Sequence, residues 1–220
     1  MIISVTNLKG GVGKSTISRN LAVYFACKGE KTCIIDTDIE QRGTSDWFER
    51  RDEEATDIPV FPMSSTDGLP KDVKTHEKDG YSTIIIDGVP QLSKVTTKML
   101  LISDLLVIPL TPSIEDLKSF EKFLTRYEDA KVFRDEIPAY LLLNMYKSRI
   151  NEDKEVQEAL ELFSEFGIKK LNAKIGDRVA HRTASKYGLT ALEWDDKKAR
   201  QEIEALGTEL ESILITLAEA

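Results

Sequence analysis

Gly10, Gly11 and Gly13 fall between a short apolar run, Ile2–Thr6, and a helical pattern that starts at Ser15. Glycine frees the backbone from the steric limits of L side chains. Three within four positions allow a tight turn whose N–H groups point inward. A helix leaving such a turn presents the positive end of its dipole to whatever the turn encloses. The chain therefore begins with a strand, an anion cradle and a helix. In the full run, Lys9-Gly10-Gly11-Val12-Gly13-Lys14-Ser15-Thr16, the backbone from Gly10 to Gly13 wraps phosphate oxygens and Lys14 reaches the β- and γ-phosphates. Ser15 is expected to ligate Mg²⁺ and Thr16 to hydrogen-bond a phosphate oxygen. The expected cofactors are ATP and Mg²⁺. Leu8 occupies the place of the first glycine in the commoner phosphate loop, and a second lysine, Lys9, stands directly before the glycine pair.

Beyond the loop, short apolar runs alternate with longer helical patterns. Strands are expected at Ile2–Thr6, Thr32–Asp36, Pro59–Pro62, Thr83–Asp87, Leu105–Leu110, Ala139–Asn144 and Lys170–Ala173. Ile84-Ile85-Ile86 and Leu105-Leu106-Val107-Ile108 are apolar throughout, as strands buried on both faces are. Helices are expected over Ser15–Lys28, Thr44–Glu53, Ser93–Leu101, Ile114–Asp129, Glu152–Phe166, Asp177–Lys186 and Asp196–Leu217. This alternation predicts a doubly wound α/β fold, a mostly parallel sheet with helices on both faces. No linker divides the 220 residues, so one domain over 1–220 is expected. Ligands of such sheets sit beyond the carboxyl ends of the strands, where Asn7–Thr16, Asp36–Gln41 and Asp87–Pro90 all fall.

The net charge of −8 argues against a wholly basic nucleic-acid binder but allows a local basic patch. No apolar window is long enough to span a bilayer, and the first residues lack the pattern of a secretion signal, so a cytoplasmic protein is expected. Cys27 and Cys33 match no metal or redox spacing and read as packing positions. His76 and His181 sit in polar contexts and read as surface residues.

The eight residues from Lys9 to Thr16 resemble the deviant Walker A box of the ParA/MinD ATPases. The resemblance implies that Lys9 crosses the interface of an ATP-bound homodimer to the partner's nucleotide, a positive charge supplied in trans. Asp36-Thr37-Asp38 is similar to the family's Asp-x-Asp, which gives Asp38 the role of orienting the attacking water. Ile39-Glu40-Gln41 departs from the Pro-Gln that usually follows, and no role is carried over to Gln41. The isoleucine run ending in Asp87 has the form of a Walker B strand. Asp87 is expected to hold Mg²⁺ through a coordinated water. Asn144, at the end of another apolar strand, stands where relatives contact the adenine.

The resemblance covers nearly the whole chain and is closest to the small ParA proteins of plasmid partition and cargo positioning. The loop starts too near the N-terminus to leave room for a helix-turn-helix extension. The implied cycle has an ATP-sandwich dimer on non-specific DNA, which a separate centromere-binding or cargo-adaptor protein stimulates to hydrolyse ATP. Arg178, Arg182 and Lys186, four residues apart, would share one helical face as a DNA-binding patch; Lys147 with Arg149, and Lys169-Lys170, are further basic clusters. One alternative is a MinD-like membrane-associated regulator. The terminal helical pattern around Glu202, Glu204, Glu209 and Glu211 is amphipathic but acidic, however, which anionic lipid repels; its apolar face is expected to pack on the sheet. Another is a metabolic ATP-dependent enzyme, for which no second substrate site is visible in the sequence.

Overall fold

The computed structural model describes residues 1–91, 93–111, 114–147, 161 and 163–219, with 114–119 as backbone alone. Its strands are β1 (Ile2–Val5), β2 (Thr32–Asp36), β3 (Val60–Pro62), β4 (Thr83–Asp87), β5 (Leu105–Leu110), β6 (Ala139–Tyr146) and β7 (Lys169–Gly176). They form one sheet in the order β3-β2-β4-β1-β5-β6-β7, and every pairing is parallel. The helices are α1 (Lys14–Cys27), α2 (Gly43–Glu49), α3 (Leu69–Lys78), α4 (Lys94–Ile102), α5 (Ile114–Lys131), α6 (Val179–Lys186) and α7 (Lys197–Glu219). The doubly wound α/β expectation holds.

Alternation along each strand explains the uninterrupted apolar runs. Ile85 packs with Ile3, Val5, Val107 and Leu142 beneath α1 and α7. Its neighbours Ile84 and Ile86 point to the other face, against Leu69 and Val73 of α3 and Val95 and Met99 of α4. Farther along that face, Leu106, Ile108, Leu141 and Leu143 meet Phe120, Phe123 and Tyr127 of α5. Each fully buried isoleucine contributes about 1.5–3 kcal/mol of transfer free energy, and a strand with one polar face could not supply this twice over. The apolar stripe of α7, Ala199, Ile203, Leu206 and Leu210, completes the first of these cores, so the terminal helix packs its apolar face on the sheet as expected. At Gly207 the two helices touch: a Cβ there would lie 2.4 Å from the Tyr24 ring of α1.

Several local expectations shift. Helix α2 ends at Glu49 rather than Glu53, because the Arg51 side chain is drawn out of helical register to the Gly188 and Thr56 carbonyls and to Glu193. Helix α3 is not among the helices expected from the sequence. Proline is tolerated in a first helical turn, where no N–H has an intrahelical partner. On α3, His76 is not a surface residue: its ring stacks 4.1 Å from that of Phe61. His181 is buried in α6. Cys33 is a packed core thiol, whereas Cys27 is exposed. The helix expected over Glu152–Phe166 lies mostly outside the described residues; within that span 161 and 163–165 are helical.

Chain direction places the site. From β1 the connection runs by way of α1 to β2 on one side, while β5, β6 and β7 extend the sheet on the other. Strand order therefore reverses about β1, and the crevice beyond its carboxyl end is where open sheets of this type take ligands.

Candidate nucleotide site

The turn from β1 into α1 carries the glycines. Gly11 (φ 77°) and Gly13 (φ 90°) both lie in the left-handed region, and Gly13 is the residue that caps α1. A Cβ at Gly13 would stand 2.2 Å from Nδ2 of Asn144, so glycine is required there by both conformation and space. Asn144 donates that Nδ2 to the Val12 carbonyl at 2.7 Å, and Asn7 holds the loop from its other end by accepting the Lys9 amide at 3.0 Å. The cradle is thus braced by side chains from β6 and from the end of β1.

Around it opens a cleft of about 370 Å³, lined by the loop residues Gly10, Gly11, Gly13, Lys14, Ser15 and Thr16 and by Asp36, Asp38 and Asp87. Every residue expected to bind phosphate is therefore on one rim except Val12, whose side chain is buried in support of the loop. Lys14 is nearly buried, and its Nζ donates to the Lys9 carbonyl at 2.8 Å. Burial pushes its ammonium down to about 8, against the pull of Asp87 and Asp38, which favour the charged form. An anion entering the cleft would replace that carbonyl with a stronger acceptor.

Asp87 and Asp36 end adjacent strands in register. The Asp87 carboxylate takes the Ser18 hydroxyl at 3.0 Å on Oδ1 and the Thr44 hydroxyl at 2.6 Å on Oδ2. Burial raises its pKa, while the Thr44 hydrogen bond, the Arg19 guanidinium and the Ser15 hydroxyl pull it back down. Ser15 and Asp87 offer hard oxygen donors facing one cleft, the donor set that fits Mg²⁺ shared with phosphate and water. Asp36 turns elsewhere: it accepts the Ser45 amide and hydroxyl, each at 2.9 Å, and so pins the start of α2. Asp38 lies beyond the strand end, half-buried, closing a turn through the Gln41 amide at 2.9 Å. Among the described residues the only non-glycine residues with positive φ, Arg42 and Met145, flank this cleft, a placement that stores backbone strain beside the site.

On the far side of Gly13 lies a small cavity of about 70 Å³, bounded by Thr16, Asn144, Met145, Gly176, Asp177, Arg178, His181 and Arg182. Both His181 ring nitrogens face their surroundings without a hydrogen-bond partner among the described residues.

The three basic residues expected to form a DNA patch do not stand alike. Arg178 is not within the helix but caps it, because its guanidinium forks onto Glu202 of α7, with Nε to Oε2 at 2.9 Å and Nη2 to Oε1 at 2.5 Å. Arg182 pairs with Asp177 at 2.9 Å, and Lys147 joins the same carboxylate at 3.3 Å. Lys186 is exposed at the last turn. Arg149 lies outside the described residues. Sequence spacing registered a shared face but not the carboxylates that occupy it. It also missed Ser18, Arg19 and Thr44, for which the only available signal was an arginine inside the helix that follows the phosphate loop.

A glycine turn at the switch point, a lysine folded over it and a strand-end aspartate facing the following serine define a P-loop nucleotide-binding protein. The chain belongs to the CobQ/CobB/MinD/ParA nucleotide-binding domain family, CbiA, whose model matches residues 3–191. It is 29% identical over 203 residues to the maintenance of carboxysome distribution protein A of Gloeobacter kilaueensis, covering 91% of this chain and 88% of that one. It is 25% identical over 215 residues to the chromosome-partitioning ATPase Soj of Thermus thermophilus, covering 86% of each. Its fold is that of the septum site-determining protein MinD complexed with Mg-ADP from Pyrococcus horikoshii, with a TM-score of 0.77, 21% identity and coverage of 100% of this chain and 99% of the other. Nucleotide binding is thus a property of the family. Among the described residues no helix is long and apolar enough to cross a membrane.

Proposed function

We propose that this chain is a ParA-type ATPase that closes into a homodimer around ATP and Mg²⁺, binds DNA without sequence preference and moves or spaces a cargo. A separate partner protein triggers its hydrolysis. The observation that carries the reading is the loop itself: Lys14 folded across a braced glycine cradle onto the carbonyl of Lys9, the residue directly before the glycine pair. Relatives named for carboxysome distribution and chromosome partitioning support the positioning role. In this reading Gly10, Gly11, Val12 and Gly13 hold phosphate through the backbone, Lys14 and Thr16 add side-chain contacts, and Ser15 and Asp87 hold Mg²⁺. Asp38 aligns the attacking water, and Lys9 reaches the partner's nucleotide. Asn144 spends Nδ2 on the loop, so any contact with the adenine runs through Oδ1. Mg²⁺ held by Ser15 and Asp87 would supply charge neutralisation for the phosphates; the chain's own task is to orient and enclose them. The protein works in the cytoplasm as one domain, and a membrane role is disfavoured because the apolar stripe of α7 is already buried on the sheet.

Light scattering with sizing chromatography tests the cycle. Asp38→Ala with ATP and Mg²⁺ is expected to run at twice the mass of the nucleotide-free chain, and a monomer under those conditions contradicts the sandwich dimer. Lys9→Ala is expected to bind ATP and lose turnover; wild-type turnover in that variant removes the trans lysine.

A further inference from the structure

Arg19 is buried in the middle of α1, one turn past the phosphate loop, and no role for it follows from the glycine motif. Its guanidinium donates from Nε to the Thr44 hydroxyl (3.1 Å), from Nη1 to the Ser185 hydroxyl (2.9 Å) and from Nη2 to the Gly43 carbonyl (2.7 Å). The Thr44 hydroxyl in turn donates a hydrogen bond to Oδ2 of Asp87 at 2.6 Å. A guanidinium can only donate and an ionised carboxylate can only accept, so a hydroxyl held between them has its direction set. Trp47 underlies the guanidinium, 5.5 Å from ring centroid to Cζ. Three acceptors and an aromatic floor leave the side chain a single orientation. A buried arginine is costly unless its donors are met and a counter-charge is near. Here each guanidinium nitrogen donates one hydrogen bond, and although burial lowers the Arg19 pKa, Asp87 and Asp36 at the ends of neighbouring strands pull the other way and favour its charged form.

We infer that Arg19 is a positioning residue for the metal: through Thr44 it fixes the plane of the Asp87 carboxylate toward the Mg²⁺ that accompanies bound nucleotide. The inference rests on the nucleotide reading above. Ser18 meets Asp87 on Oδ1 and Thr44 meets it on Oδ2, with the Ser15 hydroxyl acting on the same carboxylate, and Thr44 is the one of these that a guanidinium holds from behind. The Arg19 contacts with Gly43 and Ser185 anchor this relay to the start of α2 and to α6, so its geometry is set by three separate elements. Outer partners that hold a metal-binding carboxylate in place commonly account for a ten- to hundredfold share of metal affinity.

The test is calorimetric titration of ADP, with Mg²⁺ and in EDTA, for wild type, Arg19→Met, Thr44→Val and the double variant. The gain in ADP affinity that Mg²⁺ confers is expected to fall about tenfold in each single variant. Metal-free ADP affinity should stay within about twofold of wild type. The double variant is expected to lose no more than either single one, because both break the same relay. Arg19→Lys, which keeps the charge but cannot fork onto three acceptors, should recover part of the gain. An unchanged gain in Arg19→Met, or losses that multiply in the double variant, overturns the role of Arg19. Wild type that binds no nucleotide overturns the nucleotide reading and this inference with it, whereas normal wild-type binding beside an unaltered Arg19→Met overturns the inference alone. Should Arg19→Met fail to fold, the near-isosteric Thr44→Val decides, with an unchanged gain again the contrary result.

Discussion

The phosphate loop and helix α6 both present basic side chains, yet they are built on different terms. In the loop, Lys14 leans on a backbone carbonyl that an incoming phosphate can displace. At α6, Arg178 and Arg182 are held by the carboxylates of Glu202 and Asp177. A cation resting on a neutral carbonyl is available to an anionic ligand; one already forked onto a carboxylate must give up a charge-assisted bond first. The loop is therefore prepared for phosphate, while α6 offers Lys186 first and its arginines only at a cost.

The largest effect should come from Lys14→Gln. Removing one partner of a buried charged contact costs about 2–5 kcal/mol, so ATP affinity is expected to drop by at least about thirtyfold in calorimetry. Undiminished affinity would erase the distinction between loop and helix.

Next is Gly13→Ala, which meets both a left-handed backbone and the Asn144 amide. A cost of about 2 kcal/mol should lower the melting temperature by about 4–8 °C, and nucleotide affinity should fall with it as the cradle opens. A stable variant that binds normally would mean the loop has slack that its geometry denies.

Smaller changes sharpen the other half of the comparison. If α6 meets DNA, Lys186→Ala is expected to weaken binding and reduce the salt slope by about one, with Arg182→Ala following and Arg178→Ala acting more on stability than on DNA. Equal losses at all three, measured by anisotropy across salt concentrations, would show that the ion pairs open freely.

The smallest effect concerns His181, whose burial, aided by Arg178 and Arg182, lowers its pKa against the opposing pull of Glu202 and Asp196. Its neutral form belongs to the folded chain. The stability it permits is complete above about pH 6.5 and is lost as pH falls toward the depressed folded value, by up to about 1.4 kcal/mol per pH unit. Denaturant unfolding at pH 7 and pH 5 should show a shallower loss for His181→Leu than for wild type, and an identical loss would remove His181 from the balance.

What the sequence revealed follows the same division. The loop was legible because its geometry is made by neighbours in the chain: glycines, the helix they open and the strand before them. The triple isoleucine of β4 was legible because burial on both faces leaves no room for alternation. Arg19 and Thr44 were not, because their meaning lies in each other and in Asp87, 43 residues beyond Thr44. The arginines of α6 shared a face by spacing, but Glu202, 24 residues from Arg178, had already engaged one of them. The left-handed backbone of Arg42 and Met145 left no trace in residue type at all. Local signals carried the cradle; the partners that tune it arrive from across the fold.

Amide hydrogen exchange across the loop tests the central claim most directly. With ATP and Mg²⁺, the amides from Gly10 to Thr16 are expected to slow at least about tenfold as they close on phosphate, while those in the body of α6 change little. Loop amides that exchange at the same rate with and without nucleotide, or protection confined to α6, would contradict the account.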